Sequence, residues 1–388
     1  MSGLYIHIPY CMKACSYCNF HFSTSTNTVD DMVNSILMEL ELRKNQCFEK
    51  IETIYFGGGT PSLIKPEYFD KIINSVKNIC SVSEDLEITV EANPDNIDST
   101  YLEKLKKIGV NRLSIGVQSF NDSELKLMNR AHDKKQAIKS IKDSKRFFDN
   151  ISIDLLYGTP YSNLNDWKSN VLRALDLDVN HISSYALTIE PKTALKKYVK
   201  DGIVELPDDE IIESQFFYLV DTLCNEGYNH YELNSFCKNG FESRNNTAYW
   251  KGEKYIGIGP SAHGYNGKTR YWNVSNNSIY IKSVKKGYLP QTIEKLSFVD
   301  KYNETIMIGL RTSWGISLSD FRKKFGEKYL NTLKKHSKIF VEQGFLYYDS
   351  DSLKASRKGM FIVDGISSKL FLIDFQEREM CNENKTLE

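Results

Sequence analysis

The chain has 388 residues, of which 41% are hydrophobic and 26% charged, and its 50 Lys and Arg balance 50 Asp and Glu to a net charge of zero. That length predicts two or three domains, or one large α/β barrel with an appendage. Neutrality argues against a general nucleic-acid binder, which carries a basic excess.

In chain order, short apolar or β-branched runs bounded by turn residues predict six strands: Leu4–Ile8, Glu52–Gly58, Leu86–Ala92, Arg112–Gln118, Ile151–Gly158 and His181–Thr188. Helical stretches lie between them at Asp30–Asn45, Pro66–Ile79, Ser99–Ile108, Asp133–Phe147 and Asn165–Leu175. After the sixth strand, "PDDEIIESQFFYLVDTLCNEG" has an acidic start, apolar spacing and a closing Gly227, the marks of a helix. Six β/α units call for a parallel sheet with helices outside it. They are too few for an eight-fold barrel, so residues 1–228 are expected to form a curved, partly open (β/α)6 barrel. In parallel α/β architectures ligands sit at the C-terminal ends of strands. There fall "PYCMKAC", "GGGTP", "EANPD", "GVQSF" and "IDLLYGTP".

Beyond Gly227 the texture changes. Residues 229–299 are rich in Gly, Asn and aromatics with weak periodicity, and read as a connecting region. From Asp300 the chain is helical again, "VDKYNETIMIGLRTS" and "SLSDFRKKFGEKYLNTLKKHSKIFVEQG", followed by a hairpin-like "FLYYDSDSLKAS" and a last helix, "RKGMFIVDGISSKLF". Helices with a small β wing predict a mixed α+β, partly winged-helix-like domain over 300–388. The neutral charge favours a packing role for it over DNA binding.

Eight cysteines in a chain this long do not make a disulfide framework. Cys47, Cys80, Cys224, Cys237 and Cys381 are scattered, the usage of a reducing cytosol. No signal peptide is visible, and no apolar run reaches the ~18 residues of a membrane span. A cytoplasmic protein is expected, with peripheral contact with the inner membrane left open. The other three cysteines, Cys11, Cys15 and Cys18, cluster as C-x3-C-x2-C in "HIPYCMKACSYCNFHF". A [4Fe–4S] cube has four irons, each normally taking one thiolate, so three cysteines leave one iron open. A partial zinc site completed by His7 or His21 is the alternative, although the spacing departs from paired C-x2-C knuckles. "GGGTP" (Gly57–Pro61) follows the second strand; its glycines let backbone approach a ligand closely, or merely form a tight turn.

On the loop after a first strand, C-x3-C-x-aromatic-C resembles the radical S-adenosylmethionine superfamily. The resemblance implies that Cys11, Cys15 and Cys18 bind a [4Fe–4S] cube whose open iron is chelated by the amino and carboxylate groups of S-adenosylmethionine. An electron from the cluster then cleaves the sulfonium to a 5′-deoxyadenosyl radical. It further implies that Gly58, Gly59 and Thr60 hold the methionyl amino group. Tyr5 and Tyr17 match aromatic positions near the cofactor. Glu91, Gln118 and Asp154, each ending or following a strand, suit ribose hydroxyls, and Arg130 in "MNRAH" suits a carboxylate.

The whole chain resembles the oxygen-independent coproporphyrinogen III oxidase group, with "IHIPYC", "FGGGTP", "LSIGVQSF", "NRAH" and "IDLLYGTP" in order. One branch decarboxylates two propionates of coproporphyrinogen. The other, the HemW heme-chaperone branch, binds heme and delivers it to acceptor proteins. Three features favour the chaperones. Phe20 stands where the oxidase has a fourth cysteine. The chain reaches its first strand at Leu4, without the oxidase's N-terminal extension. "NNTAYW" (Asn245–Trp250), with "GIGPSAHG" after it, resembles the chaperones' H-N-x-x-Y-W signature. Asn245 stands in place of that histidine and is a poor iron ligand. The heme candidates are therefore Asn246, Tyr249, Trp250 and His263, with His230, Cys237 and Tyr265 nearby in sequence. The expected function is heme delivery, with a [4Fe–4S] cluster, S-adenosylmethionine and heme bound. The expected partners are heme-acceptor proteins such as respiratory-chain enzymes and an electron donor for the cluster, with no nucleic acid. The alternatives are the oxidase activity and a radical enzyme acting on another substrate; no catalytic residue is assigned.

Overall fold

The computed structural model describes residues 2–46 and 49–373. Cys47 and Cys381 lie outside the described residues. Two compact units are present: Met1–Asn229 with Asn234–Ala248 and Glu253–Ile293, and His230–Leu233 with Tyr249–Gly252 and Glu294–Glu388.

The first unit is built on six β/α steps. Strands β1 (Ser2–Ile8), β2 (Ile51–Gly58), β3 (Val82–Ala92), β4 (Arg112–Gln118), β5 (Asn150–Tyr157) and β6 (His181–Ala186) pair consecutively and all run parallel. Their apolar residues are buried on both faces, as in β2, where the consecutive Ile54, Tyr55 and Phe56 are all buried, which is why a parallel sheet reads as near-continuous apolar runs. The intervening helices are α1 (Val29–Leu42), α2 (Pro66–Ile79), α3 (Ser99–Lys107), α4 (Asp122–Leu127), α5 (Lys134–Ser144), α6 (Leu164–Asp176), α7 (Ala194–Lys200) and α8 (Asp209–Asn225). α2 shows why such segments are helical: Pro66 opens it, and Phe69, Ile72, Ile73 and Val76 bury one stripe at helical spacing. α5 begins in a capping box of Asp133 and Gln136.

Residues 229–299 are more ordered than their composition predicts. They carry β7 (Asn229–Glu232), β8 (Ser235–Cys237), α9 (Arg244–Trp250), β9 (Lys254–Ile258), β10 (His263–Tyr265), β11 (Thr269–Asn273), α10 (Asn277–Lys285) and β12 (Gln291–Lys295). β9 pairs in parallel with the free edge of β1, so a seventh parallel strand joins the six expected. β10 and β11 continue antiparallel from β9, and β8 runs antiparallel to β6. A buried network ties α1 to this added edge. Glu39 receives Arg43 Nε and Asn273 Nδ2 on one oxygen, both at 2.7 Å. Its other oxygen receives the Gly259 N–H at 2.8 Å and the Tyr280 hydroxyl at 2.6 Å.

The second unit contains α11 (Phe298–Leu310), β13 (Ile316–Ser317), α12 (Leu318–Phe325), α13 (Glu327–Glu342), β14 (Leu346–Asp349), β15 (Ser352–Ala355), α14 (Arg357–Phe361) and α15 (Val363–Leu370). Its three strands lie in the order β13-β15-β14. This helix–strand–helix–helix–hairpin succession is winged-helix-like. The long helix expected over 317–344 is broken at Gly326, whose φ of +90° suits glycine and ends α12. The last expected helix is likewise two, α14 and α15.

Among the described residues no helix is long and apolar enough to cross a membrane. Cys237 carries a buried free thiol, and the Cys80 side chain is also buried.

Candidate functional site

The three clustered cysteines lie on the segment that leaves β1. Two backbone bonds pair this segment with its own return, Cys11 N–H to Ser23 O at 3.0 Å and Ser23 N–H to Pro9 O at 2.8 Å. The end of α4 holds its middle: Ser16 N–H donates to Met128 O at 3.1 Å, the Ser16 hydroxyl to Leu127 O at 3.0 Å, and Asn129 Nδ2 to Ala14 O at 2.8 Å. Tyr17 packs on Leu125, Met128 and Leu156. The six-residue α4, too short to be read from sequence, is thus what fixes the loop.

Cys11, Cys15 and Cys18 are free thiols, each half-buried, and close enough to perturb one another. Burial pushes the Cys11 thiol up to about 11; the Thr60 hydrogen bond opposes this, and Cys18 and Cys15 add to it. Among the described residues no three or more His, Cys, Asp or Glu side chains gather around one point as ligands of a single metal ion. A cube makes a different demand, because each thiolate meets its own iron. Three accessible thiols on one pinned loop, with cationic and hydroxyl donors beside them, fit that demand. The Thr60 hydroxyl donates to Cys11 Sγ at 3.4 Å and Arg130 Nη1 to Cys15 Sγ at 3.3 Å. Met12 and Phe20 stand exposed beside the cysteines, Phe20 at 71%.

The glycines of "GGGTP" leave room for protein neighbours. A Cβ on Gly57 would stand 2.9 Å from the Tyr5 ring, one on Gly58 2.7 Å from the His7 ring, and one on Gly59 2.6 Å from Tyr10 O. Gly58 also has a φ of +118°. The exit of β2 therefore lies directly against the exit of β1, and Thr60 N–H donates to Tyr10 O at 2.7 Å. Tyr5 stacks on Tyr55, ring centroids 6.1 Å apart, and its hydroxyl meets His7 Nδ1 at 3.2 Å.

The sequence placed Glu91, Gln118 and Asp154 together at strand ends, and the structure refines this. Glu91 is one residue from the end of β3; it accepts from the Tyr55 hydroxyl at 2.9 Å and from Gly58 N–H at 3.2 Å. Asp154 lies in the middle of β5 rather than at its end, with the Ser114 hydroxyl 3.4 Å from one oxygen. Burial lifts Glu91 to about 7 and Asp154 to about 6; Tyr55 opposes the rise for Glu91 and Arg112 opposes it for Asp154. Gln118 does end β4, in a left-handed conformation of φ 68° that non-glycine residues rarely adopt. Arg130 is half-buried and reaches Asn93, Gly116 O and Cys15. Asn93 is a member of this group that sequence reasoning missed, since nothing in "EANPD" singles it out.

The heme candidates fall in two places. Asn245 is buried at 2% exposure, level with the start of β2, where it accepts from Thr53. Asn246, Tyr249 and Trp250 follow it on α9, each half-buried. His263 opens β10 and is exposed. Its ring stacks on Trp272 with centroids 5.9 Å apart. Partial burial and Arg270 lower its pKa, favouring the neutral imidazole, and it is near enough to His7 to lower that residue's pKa too. The other nearby candidates are engaged or sealed: His230 Nε2 meets Leu233 O at 3.1 Å, the Tyr265 hydroxyl donates to Gly267 O at 3.2 Å, and burial raises the Cys237 thiol to about 12.

A parallel β/α barrel carrying three thiols on the loop after its first strand defines a radical S-adenosylmethionine core, and the Radical SAM superfamily profile matches residues 5–172. The HemN C-terminal domain profile matches residues 296–362. Heme chaperone HemW of Bacillus subtilis is 32% identical over 93% of this chain and 97% of its own length. That of Lactococcus lactis is 32% identical over 96% and 98%. The mitochondrial radical S-adenosyl methionine domain-containing protein 1 of Bos taurus is 31% identical over 94% and 86%. The chain belongs to the HemW heme chaperone family. In fold it is similar to the coproporphyrinogen III oxidase HemN of Escherichia coli, a radical SAM enzyme, with a TM-score of 0.83 at 21% identity over 95% of this chain and 90% of that one.

Proposed function

We propose that this protein is a heme chaperone that binds a [4Fe–4S] cluster, S-adenosylmethionine and heme, and passes heme to acceptor proteins. The observation that carries the reading is the similarity to curated heme chaperones along nearly the whole of both chains, 93% and 97% for the Bacillus subtilis relative.

In this reading Cys11, Cys15 and Cys18 hold three irons of the cluster and leave the fourth to the amino and carboxylate groups of S-adenosylmethionine. When bound, the cluster supplies a single electron. The chain supplies position and shielding. Arg130 offers its guanidinium to the methionyl carboxylate, and the backbone of Gly58, Gly59 and Thr60 receives the amino group. Glu91, Asp154 and Gln118 accept or donate at ribose hydroxyls, with Tyr5 and Tyr17 as aromatic walls. Heme is taken as cargo by Asn246, Tyr249, Trp250 and His263. His263 suits iron best, because its imidazole is exposed and held neutral, and the aromatic faces of Tyr249 and Trp250 suit a porphyrin plane. The acceptors proposed are respiratory-chain enzymes, with a separate donor reducing the cluster. A reducing cytoplasm is the proposed location, since the three free thiols must stay available.

The test is a hemin titration of the purified, anaerobically reconstituted protein. A saturable Soret band that weakens or shifts in His263→Ala is the expected result. Absence of hemin binding, together with decarboxylation of coproporphyrinogen under reducing conditions, would overturn the chaperone reading.

A further inference from the structure

Asn93 follows β3, and both ends of its carboxamide are engaged. Oδ1 accepts from Arg130 Nη2 at 2.8 Å, and Nδ2 donates to Thr60 Oγ1 at 3.2 Å. Each partner goes on to a thiol. Arg130 Nη1 donates to Cys15 Sγ at 3.3 Å, and the Thr60 hydroxyl to Cys11 Sγ at 3.4 Å. Four hydrogen bonds in unbroken succession therefore join Cys15 to Cys11 through Arg130, Asn93 and Thr60.

The polarity of this chain is forced from one end. Guanidinium can only donate, so the oxygen of Asn93 must face Arg130 and the NH2 must face Thr60. The Thr60 oxygen then accepts from Asn93, which leaves its single proton to point at Cys11. The surroundings hold Asn93 in place. Its N–H donates to the Ser62 hydroxyl at 3.1 Å, and Arg130 Nη2 also donates to Gly116 O at 2.6 Å. Gly116 admits the pair: a Cβ there would stand 3.3 Å from Asn93 Oδ1 and 3.4 Å from Arg130 Nη2.

We propose that Asn93 is a positioning residue that sets the hydrogen bonds received by Cys11 and Cys15, and thereby the reduction potential of the cluster they hold. The inference rests on the reading that these cysteines bind a [4Fe–4S] cluster. Donors to cluster sulfurs favour the more negative, reduced state and raise the potential. Removing Asn93 frees the guanidinium and the hydroxyl to turn away, so the potential falls.

The experiment compares wild type, Asn93→Leu and Thr60→Val after anaerobic reconstitution, without S-adenosylmethionine. It measures iron per chain, midpoint potential by spectroelectrochemical titration, and the electron paramagnetic resonance spectrum of the reduced cluster. Wild-type iron content with a more negative potential in both variants, and altered g-values in Asn93→Leu, is the expected result. A merely structural role for Asn93 would lower iron content and leave the potential of the remaining clusters unchanged. If Asn93→Leu takes up no cluster, the potential of Thr60→Val decides alone. Full clusters with wild-type potential and spectra in both variants overturn the inference and leave the cluster reading standing. A wild type that takes up no cluster sinks that reading, and this inference with it.

Discussion

The Thr53 hydroxyl donates to the Asn245 carboxamide oxygen across 3.1 Å, with both side chains sealed from solvent. The two carboxylate oxygens of Glu87 receive the Asn245 and Arg244 N–H groups, each at 3.3 Å, so the start of α9 is capped by an acid from β3. The position at which the chaperone signature resembled by "NNTAYW" carries histidine is here part of a hydrogen-bonded floor. Asn245→Ala leaves the Thr53 hydroxyl buried without its acceptor, at a cost of about 1–3 kcal/mol, measurable by denaturant unfolding. Hemin affinity should stay at the wild-type level, because the proposed heme contacts are Asn246, Tyr249, Trp250 and His263. A fall in hemin affinity with unchanged stability would return Asn245 to the heme site.

Glu91 and Asp154 predict a pH dependence with a definite sign. Burial lifts them to about 7 and about 6, so both become ionised acceptors only as pH rises through that range. S-adenosylmethionine affinity, followed by calorimetry, should strengthen from about pH 5.5 to about pH 8. Glu91→Gln should flatten the upper part of the rise. Stability moves the other way. A carboxyl with a raised folded pKa favours folding while it is protonated, and that contribution is lost as pH climbs from the ordinary carboxylate range through about 7. Relative to wild type, Glu91→Gln should therefore gain stability with pH, approaching roughly 3 kcal/mol above pH 7. A constant difference across the range would mean that Glu91 titrates normally.

The six parallel strands were legible because burial on both faces leaves local apolar runs, and β4 begins and ends where its sequence predicts. β9 was not legible. "KYIGI" is short, glycine-containing and without period, and what makes it a strand is pairing with β1 some 250 residues earlier. The cysteine motif could be read because its spacing is local. The support beneath it, from α4, Asn93 and Gly116, comes from segments that converge only in the folded barrel. Asp154 was expected at a strand end with Glu91 and Gln118, although the strand predicted over Ile151–Gly158 already ran past it, and β5 does continue three residues beyond it.

The Glu39–Arg43 pair predicts a large, local loss of stability. The guanidinium donates to Glu39 at 2.7 Å, to Asn273 at 3.0 Å and to Gln291 at 2.8 Å, and lies over the Tyr271 ring, 4.0 Å from its centroid. Arg43→Met fills much of the space but leaves the buried carboxylate without its cation, which costs about 3–5 kcal/mol. Because Glu39 also holds Gly259 N–H, limited proteolysis should report faster cleavage between Gly259 and His263. Near-wild-type unfolding would show that the remaining donors suffice to hold the carboxylate.

Gly59 tests how closely the exits of β1 and β2 must lie for the cysteine loop to form. Its N–H donates to Ile8 O at 3.0 Å, and the next residue, Thr60, donates its N–H to Tyr10 O at 2.7 Å. A Cβ at Gly59 would stand 2.6 Å from Tyr10 O and 2.9 Å from Tyr10 N, backbone atoms that cannot rotate aside. Gly59→Ala must therefore part the two exits, and Cys11 follows Tyr10 directly. Iron per chain after reconstitution should fall to less than about half of wild type, the size of loss expected when 1–3 kcal/mol of overpacking strain falls on a ligand loop. Gly365→Ala is the matched control. That glycine is exposed on α15, a Cβ there meets nothing within 4 Å, and alanine in a helix should add about 0.5–1 kcal/mol while iron uptake stays unchanged. Equal iron content in the two variants would mean that the loop holds its cluster without the close approach of β2.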